Sequence, residues 1–363
     1  MSSSIGIISN SLDQKDLTGP AVYLYYMLDH LLELPGVRQQ VSLVHYREYK
    51  RPLYQRAQET IVPRSPLLSE LALRQEGFDI LHYNSLPTLR PFYLLPGKKV
   101  LTLHGLAPLI LPHLSPRYPH FERAYLWPLL AKGFDKIIAV SEFTRQSAIK
   151  HWRIPPEKIC AIHSGVSTQF KPQPEQKIIA LKERIGSPYL LHISNFNTKK
   201  NSVLLINTFA KLKQKKQPHK LVIIGGRWES SPIPALIAEL QLDDDVIFVG
   251  YETNENLPVW YSAADAFVTL SLHESFCFPI VEAMACGCPV VALNRTAFPE
   301  IIGDAGLLID EPLSAEAIAN HLAWLLEDRE LIKHLREKGL KRAAKFSWQE
   351  NARQTWQLYQ SLL

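Results

Sequence analysis

Two glutamates around a short predicted helix are the residues of this 363-residue chain best suited to chemistry. Glu274 and Glu282 have seven residues between them, and Pro279 suits the start of a helix because proline has no N–H to leave unpaired. The free N–H groups and partial positive charge of a helix start suit a diphosphate or sugar oxygens. A glutamate near a helix start is also favourable without any ligand, so the spacing alone leaves both interpretations open.

The segments around this helix indicate that it belongs to a parallel sheet. Mostly apolar runs at 266–270 and 288–293 predict a strand on either side of the helix, and Gly287 is expected to end the helix. Apolar strands alternate with helical segments along the rest of the chain, beginning with a strand at 5–9. Such alternation predicts an α/β fold with parallel strands. The first strand–helix unit lacks the G-x-G-x-x-G fingerprint of dinucleotide-binding proteins.

Two more candidates follow from their positions in this pattern. His104 comes directly after a predicted strand at 99–103, and ligands of open α/β sheets bind beyond the carboxyl ends of the strands. Lys199 and Lys200 lie at a predicted helix start, where a cation is unfavourable unless an anion is bound nearby. The sequence therefore predicts a ligand beside His104 and an anion beside Lys200.

The composition excludes several classes of protein. Hydrophobic residues make up 46% and charged residues 21%, as in ordinary soluble proteins, and the length predicts two domains. No apolar run approaches the ~18 residues of a membrane span and no secretory signal is visible, so we expect a cytoplasmic protein. The four cysteines resemble neither a disulfide framework nor a zinc site. The net charge of +5, without a clustered basic face, does not indicate nucleic acid.

The stretch around the two glutamates resembles the donor-sugar signature of retaining glycosyltransferases of family 4. The resemblance rests on Glu274, Phe276 and Glu282, the last of which opens the run E-A-M-A-C-G-C-P-V-V-A. It covers most of the chain, including the turn at His104 and the closing segment 346–363. It implies the GT-B fold, in which two Rossmann-like domains with parallel sheets face each other across a cleft.

A proline-containing, linker-like run at 171–175 predicts the boundary between these domains. We expect an N-terminal, acceptor-side domain over 1–170, with a C-terminal helix at about 346–363 packing back on it. The nucleotide-sugar donor domain is then expected over 171–345. The basic and aromatic stretch 47–64 has little clear period and is predicted to be a solvated loop, with contact to a lipid surface or a charged acceptor as the alternative. The proline-broken, apolar stretch 106–120 is predicted to be a mobile loop on the acceptor side, with lipid contact as a further hypothesis.

The resemblance also implies roles for the candidate residues. Glu274 orients the hydroxyls of the transferred sugar, Glu282 binds the ribose, and His104 lies by the sugar on the acceptor side. The backbone N–H groups expected beside Glu274 are those of Phe276, Cys277 and Phe278.

The donor diphosphate is expected to be held by Lys200, with Asn195 and Gly19 nearby. Two of these positions depart from the family. Asn195 stands where most members have arginine, and Gly19 is followed by Pro20 where many have a second glycine. A missing guanidinium removes a planar, two-pronged donor to phosphate.

The implied function is retaining transfer of a sugar from a nucleotide sugar to an acceptor hydroxyl of a glycan or glycolipid. The Lys200-Asn201 pair resembles mannosyltransferases that use GDP-mannose, so mannose is the expected sugar and a UDP-sugar the alternative. No metal or other cofactor is expected. A nucleotide-sugar epimerase and a non-catalytic binding module are the other hypotheses. The expected partners are the donor and a glycan or lipid-linked acceptor, with peripheral contact at the inner membrane surface as a further hypothesis.

Overall fold

The computed structural model of the protein describes residues 4–15, 17–46, 51–87, 95–114, 119, 121–311 and 314–363. The chain forms two compact units. Unit 1 consists of Met1–Gly165 and Ser347–Leu363, and unit 2 of Val166–Phe346. Each unit has its own parallel sheet, whose strands are connected by helices.

Unit 1 contains a seven-stranded sheet. Its strands are β1 (Ile5–Ile8), β2 (Val41–His45), β3 (Gln58–Ile61), β4 (Ile80–Tyr83), β5 (Lys98–Leu103), β6 (Lys136–Ala139) and β7 (Ile159–Ala161). Their order is β3-β2-β1-β4-β5-β6-β7, and every neighbouring pair is parallel. The order changes direction between β1 and β4, so the carboxyl ends of these strands border the position where such sheets bind ligands.

In the described part of unit 1, six α-helices accompany the sheet, and the last comes from the end of the chain. They are α1 (Gly19–Leu31), α2 (Pro66–Glu76), α3 (Ala107–Ile110), α4 (Trp127–Lys132), α5 (Glu142–Trp152) and α14 (Trp348–Gln360). In α14 the Trp348 ring stacks on Tyr26 at a centroid distance of 5.6 Å, and the Tyr359 hydroxyl hydrogen-bonds His82. A Cβ on Gly165 would lie 2.3 Å from the Trp348 nitrogen, so glycine permits this close approach.

Unit 2 contains a six-stranded parallel sheet in the order β10-β9-β8-β11-β12-β13. These strands are β8 (Tyr189–Ile193), β9 (Lys220–Ile224), β10 (Val246–Gly250), β11 (Ala266–Thr269), β12 (Val290–Leu293) and β13 (Leu307–Ile309). The helices are α6 (Glu175–Ile185), α7 (Ser202–Gln214), α8 (Ile233–Glu239), α9 (Leu257–Ala263), α10 (Phe278–Ala285), α11 (Phe298–Ile302), α12 (Ala315–Glu327) and α13 (Arg329–Ala343). The switch in strand order lies between β8 and β11.

The sequence-based interpretation of 47–64 as a loop was wrong for part of that stretch. Residues Gln58–Ile61 form β3, which pairs with β2 at the edge of the sheet. Only Thr60 in this strand is buried, and its hydroxyl lies 2.7 Å from that of Ser42. Because the other three side chains face solvent, β3 lacks the apolar run by which the central strands were recognised. Residues 47–50 lie outside the described residues.

The stretch 106–120, predicted to be a loop, contains two short helical segments among its described residues. It opens with the short helix α3 and continues into a 3₁₀ turn at Pro112–Leu114. Residues 115–118 and 120 lie outside the described residues. None of the helices in the described ranges combines the length and hydropathy needed to cross a bilayer.

Candidate functional site

An ion pair joins two of the predicted site residues in unit 2. Lys200 ends a 3₁₀ turn that follows β8, and Glu274 lies in the turn that follows the neighbouring strand β11. The Lys200 Nζ lies 2.6 Å from the Glu274 Oε1, and the side chains are only 24% and 17% exposed. The Leu272 N–H donates to the Lys199 carbonyl at 2.8 Å, which holds the two turns together.

This pair is charged and sheltered. Burial is the largest single influence on the pKa of the Lys200 ammonium and lowers it, but the charge of Glu274, the Cys277 thiol and the hydrogen bond to Glu274 together hold this pKa above its ordinary value. Lys200 is therefore a cation whose charge is already balanced. Any phosphate that binds Lys200 must compete with Glu274 for it.

The helix that follows begins with an unusual backbone conformation. Cys277 precedes α10 with a φ of +74°, in the left-handed region that non-glycine residues rarely occupy. The N–H groups of Phe276 and Cys277 donate to no other residue that the structure describes. These are open donors at a helix start, as a diphosphate or a sugar oxygen requires. Phe278 is the first residue of α10, and Pro279 follows it.

Glu282 lies in the second turn of α10 and has a partner that the sequence did not indicate. The Tyr261 hydroxyl, from α9, donates to the Glu282 Oε2 at 2.8 Å. Burial raises the pKa of Glu282 to about 7, although this hydrogen bond acts in the opposite direction. The half-buried carboxyl is thus poised to change charge near neutral pH, with its other oxygen open to a ligand hydroxyl.

The Asn195 side chain hydrogen-bonds the backbone of the glycine-containing turn that follows β9. Its Oδ1 accepts from the Gly226 N–H at 2.8 Å, and the Phe196 N–H donates to the Gly226 carbonyl at 2.9 Å. The preceding residue, Gly225, has a φ of +131°, and a Cβ on it would lie 2.1 Å from the Ser194 carbonyl oxygen. The turn after β9 is therefore fixed directly against the end of β8.

A buried histidine holds the end of β8 against the neighbouring strand β11. His192 in β8 bonds the Val268 carbonyl through Nδ1 at 2.8 Å and the Ser194 hydroxyl through Nε2 at 2.9 Å. Burial lowers the pKa of His192 to about 4, so it is neutral. Because a carbonyl only accepts, Nδ1 carries the proton and Nε2 accepts from Ser194. Sequence reasoning did not single out His192, since a histidine inside an apolar strand gives no functional signal.

The candidates in unit 1 are brought together by an asparagine that the sequence analysis missed. Asn84 follows β4; its Oδ1 lies 3.0 Å from the His104 Nε2, and its Nδ2 donates to the Pro20 carbonyl at 2.9 Å. Burial lowers the pKa of His104 to about 4, which leaves the ring neutral. The signal that could have identified Asn84 is its position at the carboxyl end of a predicted strand. A Cβ on Gly19, the first residue of α1, would meet no heavy atom within 4 Å.

A small cavity of about 80 Å³, lined by both polar and apolar residues, lies at the switch point of the unit 1 sheet. The Ser11 hydroxyl is buried there without a hydrogen-bond partner among the described residues. A ligand hydroxyl could satisfy it. The polar residues lining the cavity are Asn10, Ser11, Asn84 and Ser85.

Two family models together match most of the chain. The family "Glycosyl transferases group 1" matches residues 175–342, and "Glycosyltransferase Family 4" matches residues 19–170. The chain is a glycosyltransferase. This confirms the expectation of an enzyme that transfers a sugar.

The relatives of this glycosyltransferase include two from Escherichia coli. The O-antigen chain mannosyltransferase B is 29% identical over 315 residues, which cover 82% of this chain and 81% of the relative. The serotype-specific mannosyltransferase WbdA is 26% identical over 280 residues, which cover 75% of this chain but 34% of WbdA. The chain thus spans about a third of the second relative.

A solved structure confirms the predicted GT-B fold, with its two Rossmann-like domains. Anabaena HepE, determined in complex with UDP-glucose, matches with a TM-score of 0.79 and 19% identity. The match covers 99% of this glycosyltransferase and 100% of HepE.

Proposed function

We propose that this glycosyltransferase belongs to the retaining family 4 enzymes and transfers mannose from GDP-mannose to a hydroxyl of a glycan or lipid-linked acceptor. The Lys200–Glu274 pair beside the open N–H groups at the start of α10 carries the proposal. It places a cation, a carboxylate and amide donors within one small region of unit 2. The mannosyltransferases among the relatives favour mannose. A UDP-sugar is the second candidate, because HepE was determined with UDP-glucose.

The residues of unit 2 would then act on the donor. Glu274 accepts hydrogen bonds from the sugar hydroxyls and orients the ring. Lys200 and the open N–H groups stabilise the charge that develops on the diphosphate as the bond between C1 and the phosphate oxygen breaks. The acceptor oxygen bonds to C1 on the same face, and its proton passes to the departing phosphate oxygen. No metal is needed in this scheme.

Unit 1 would receive the acceptor. Its cavity offers several polar groups to acceptor hydroxyls, including the Ser11 hydroxyl. The neutral His104, held by Asn84 through Nε2, keeps Nδ1 open to a hydroxyl group. This division assigns acceptor binding to unit 1 and donor binding to unit 2.

A thermal-shift panel with GDP, UDP and ADP and their sugar conjugates tests the donor. A ligand at about 100 times its Kd is expected to stabilise the protein by about 2.7 kcal/mol. We expect GDP and its sugar conjugates to raise the melting temperature of the wild type, and we expect Glu282→Ala to abolish this rise. A shift with UDP compounds alone would select the second candidate, and no shift with any nucleotide would overturn the donor site. Consumption of GDP-mannose to an epimer without acceptor would favour the epimerase.

We also propose that unit 1 contacts an anionic lipid surface. Phe121, Tyr125 and Leu129 recur at intervals of four residues and are 67%, 64% and 69% exposed. The Phe121 and Tyr125 ring centroids are 5.8 Å apart, so they form one apolar stripe. Unit 1 contains 20 Lys and Arg against 14 Asp and Glu, whereas unit 2 contains 20 against 21. An apolar stripe on the basic unit suits a membrane with anionic head groups.

Vesicle sedimentation tests this contact. We expect the protein to bind phosphatidylglycerol vesicles at low salt, to be released by high salt because charges are screened, and to ignore phosphatidylcholine vesicles. Changing Phe121, Tyr125 and Leu129 to serine together should lower binding severalfold. Tyr251→Ser, which removes a 76% exposed aromatic residue from unit 2, is the control. Equal binding of the triple variant and the wild type would refute the proposal.

A further inference from the structure

The charges around Lys200 are insufficient for a nucleoside diphosphate. Lys200 is already paired with Glu274 at 2.6 Å, and Glu282 adds a second carboxyl group. These three side chains together carry no net positive charge. A diphosphate brings at least two negative charges into a sheltered region, where repulsion between like charges is only weakly screened. A further cation close by would stabilise the bound diphosphate beyond what Lys200 and the open N–H groups of α10 provide.

Asn195, where the resembled family has arginine, does not supply that cation. It uses its Oδ1 to fix the Gly226 N–H at 2.8 Å, and the Phe196 N–H holds the Gly226 carbonyl. Asn195 thereby ties the turn after β9 to the end of β8. The next residue in that turn is Arg227.

Arg227 is held in place by its neighbours on both sides. Gly226 is fixed by its two hydrogen bonds, and Trp228 is buried, with its indole N–H donating to the Ser194 carbonyl at 2.6 Å. Between them Arg227 has a φ of +68°, a conformation that non-glycine residues rarely adopt. Its side chain is exposed and makes no ion pair or hydrogen bond with another described residue. A guanidinium without a partner thus extends from a fixed point beside Asn195.

Lys199 is the other nearby cation. It precedes Lys200 in a 3₁₀ turn, in which successive side chains diverge by about 120°. Lys200 forms the ion pair with Glu274, and Lys199 extends in a different direction. The positive charge of Lys199 contributes to lowering the pKa of His273, the residue before Glu274, although burial is the larger cause.

We propose that Arg227 binds the donor diphosphate and supplies the guanidinium that position 195 lacks. The inference rests on the proposed function, since it assigns a ligand to the same donor site. A guanidinium forms two parallel hydrogen bonds to phosphate, which a single ammonium cannot do. The cation has moved from the end of β8 to the turn after the neighbouring strand β9, and Asn195 holds that turn in position.

Calorimetric titration with GDP and GMP tests the role of Arg227. Arg227→Gly removes the side chain and suits the left-handed backbone, so the variant should fold. We expect it to weaken GDP binding by about tenfold or more and GMP binding much less, because GMP carries less charge. Arg227→Lys should recover only part of the loss. The matched control is Lys216→Gly, which removes another exposed cation of unit 2 with a φ of +59°.

The outcomes separate this inference from the proposed function. If the wild type binds GDP and Arg227→Gly binds it equally well, the role of Arg227 is overturned while the donor site stands. If Lys199→Ala loses GDP binding and Arg227→Gly does not, Lys199 is the missing cation and the inference is wrong. If the wild type binds neither GDP nor UDP, the donor site itself is overturned, and the role of Arg227 with it.

Discussion

Glu274→Gln is expected to lower kcat by roughly 100-fold while GDP binds as tightly as to the wild type or more tightly. The carboxylate orients the sugar in the proposed reaction, so its loss slows the chemical step. It also balances the Lys200 charge at 2.6 Å. Glutamine has the same shape but no charge, and it leaves the ammonium available to the diphosphate. The substitution should therefore move turnover and product affinity in opposite directions.

Lys200→Met provides the contrast. It removes the cation and should lower both kcat and GDP affinity. If the ion pair were purely structural, Glu274→Gln and Lys200→Met would instead lower kcat and GDP affinity in the same way. Steady-state kinetics with the donor and calorimetry with GDP make the comparison. Glu252→Gln is the control, because Glu252 is another hydrogen-bonded glutamate of unit 2, accepting from Asn256 at 2.9 Å. Parallel losses of kcat and GDP affinity in Glu274→Gln would contradict the assignment.

The sequence predicted the central parts of the fold because buried parallel strands and their helices have strong patterns. Strands β11 at Ala266–Thr269 and β12 at Val290–Leu293 lie within the apolar runs 266–270 and 288–293 that predicted them. Ser141 caps the helix after β6 through a bond of the same local kind, since its Oγ accepts from the Thr144 N–H at 3.1 Å. Such local signals do not depend on the rest of the chain. The edge strand β3 was missed because only Thr60 in it is buried.

The pairing of the site residues could not be predicted, because it depends on the order of the strands. Lys200 and Glu274 are 74 positions apart and meet because β8 lies next to β11. The sequence indicated the residue types and the strand ends, but not which ends are neighbours. The Tyr261–Glu282 and Asn84–His104 bonds are likewise contacts between separate elements. The role of Asn195 as a diphosphate partner stays a prediction, and its observed bond to Gly226 places it beside Arg227.

Glu282→Gln is expected to remove a pH dependence of GDP binding that the wild type shows. Burial raises the pKa of Glu282 to about 7, so the fraction of ionised carboxylate rises about tenfold between about pH 6 and about pH 8. In the ionised form both Glu282 oxygens can accept hydrogen bonds from the ribose hydroxyls. In the protonated form one oxygen carries an O–H, which donates instead. Wild-type GDP affinity should thus rise by up to about tenfold over this interval. Titration of GDP itself affects the wild type and Glu282→Gln equally, so the difference between their pH profiles reports Glu282 alone.

The stability of the unliganded protein should fall as the pH rises, whereas its GDP affinity rises. A carboxyl group whose pKa is raised by folding stabilises the folded state while protonated, fully so below its ordinary pKa, and this stabilisation is lost as the pH rises through about 7. The melting temperature of the wild type should therefore fall between about pH 5 and about pH 8 more steeply than that of Glu282→Gln. Tyr261→Phe removes the hydrogen bond that lowers the Glu282 pKa. The pH midpoints of GDP binding and of the melting temperature should therefore both move to higher pH. Identical pH slopes in the wild type and Glu282→Gln would show that Glu282 stays charged throughout and that ribose binding does not depend on its titration.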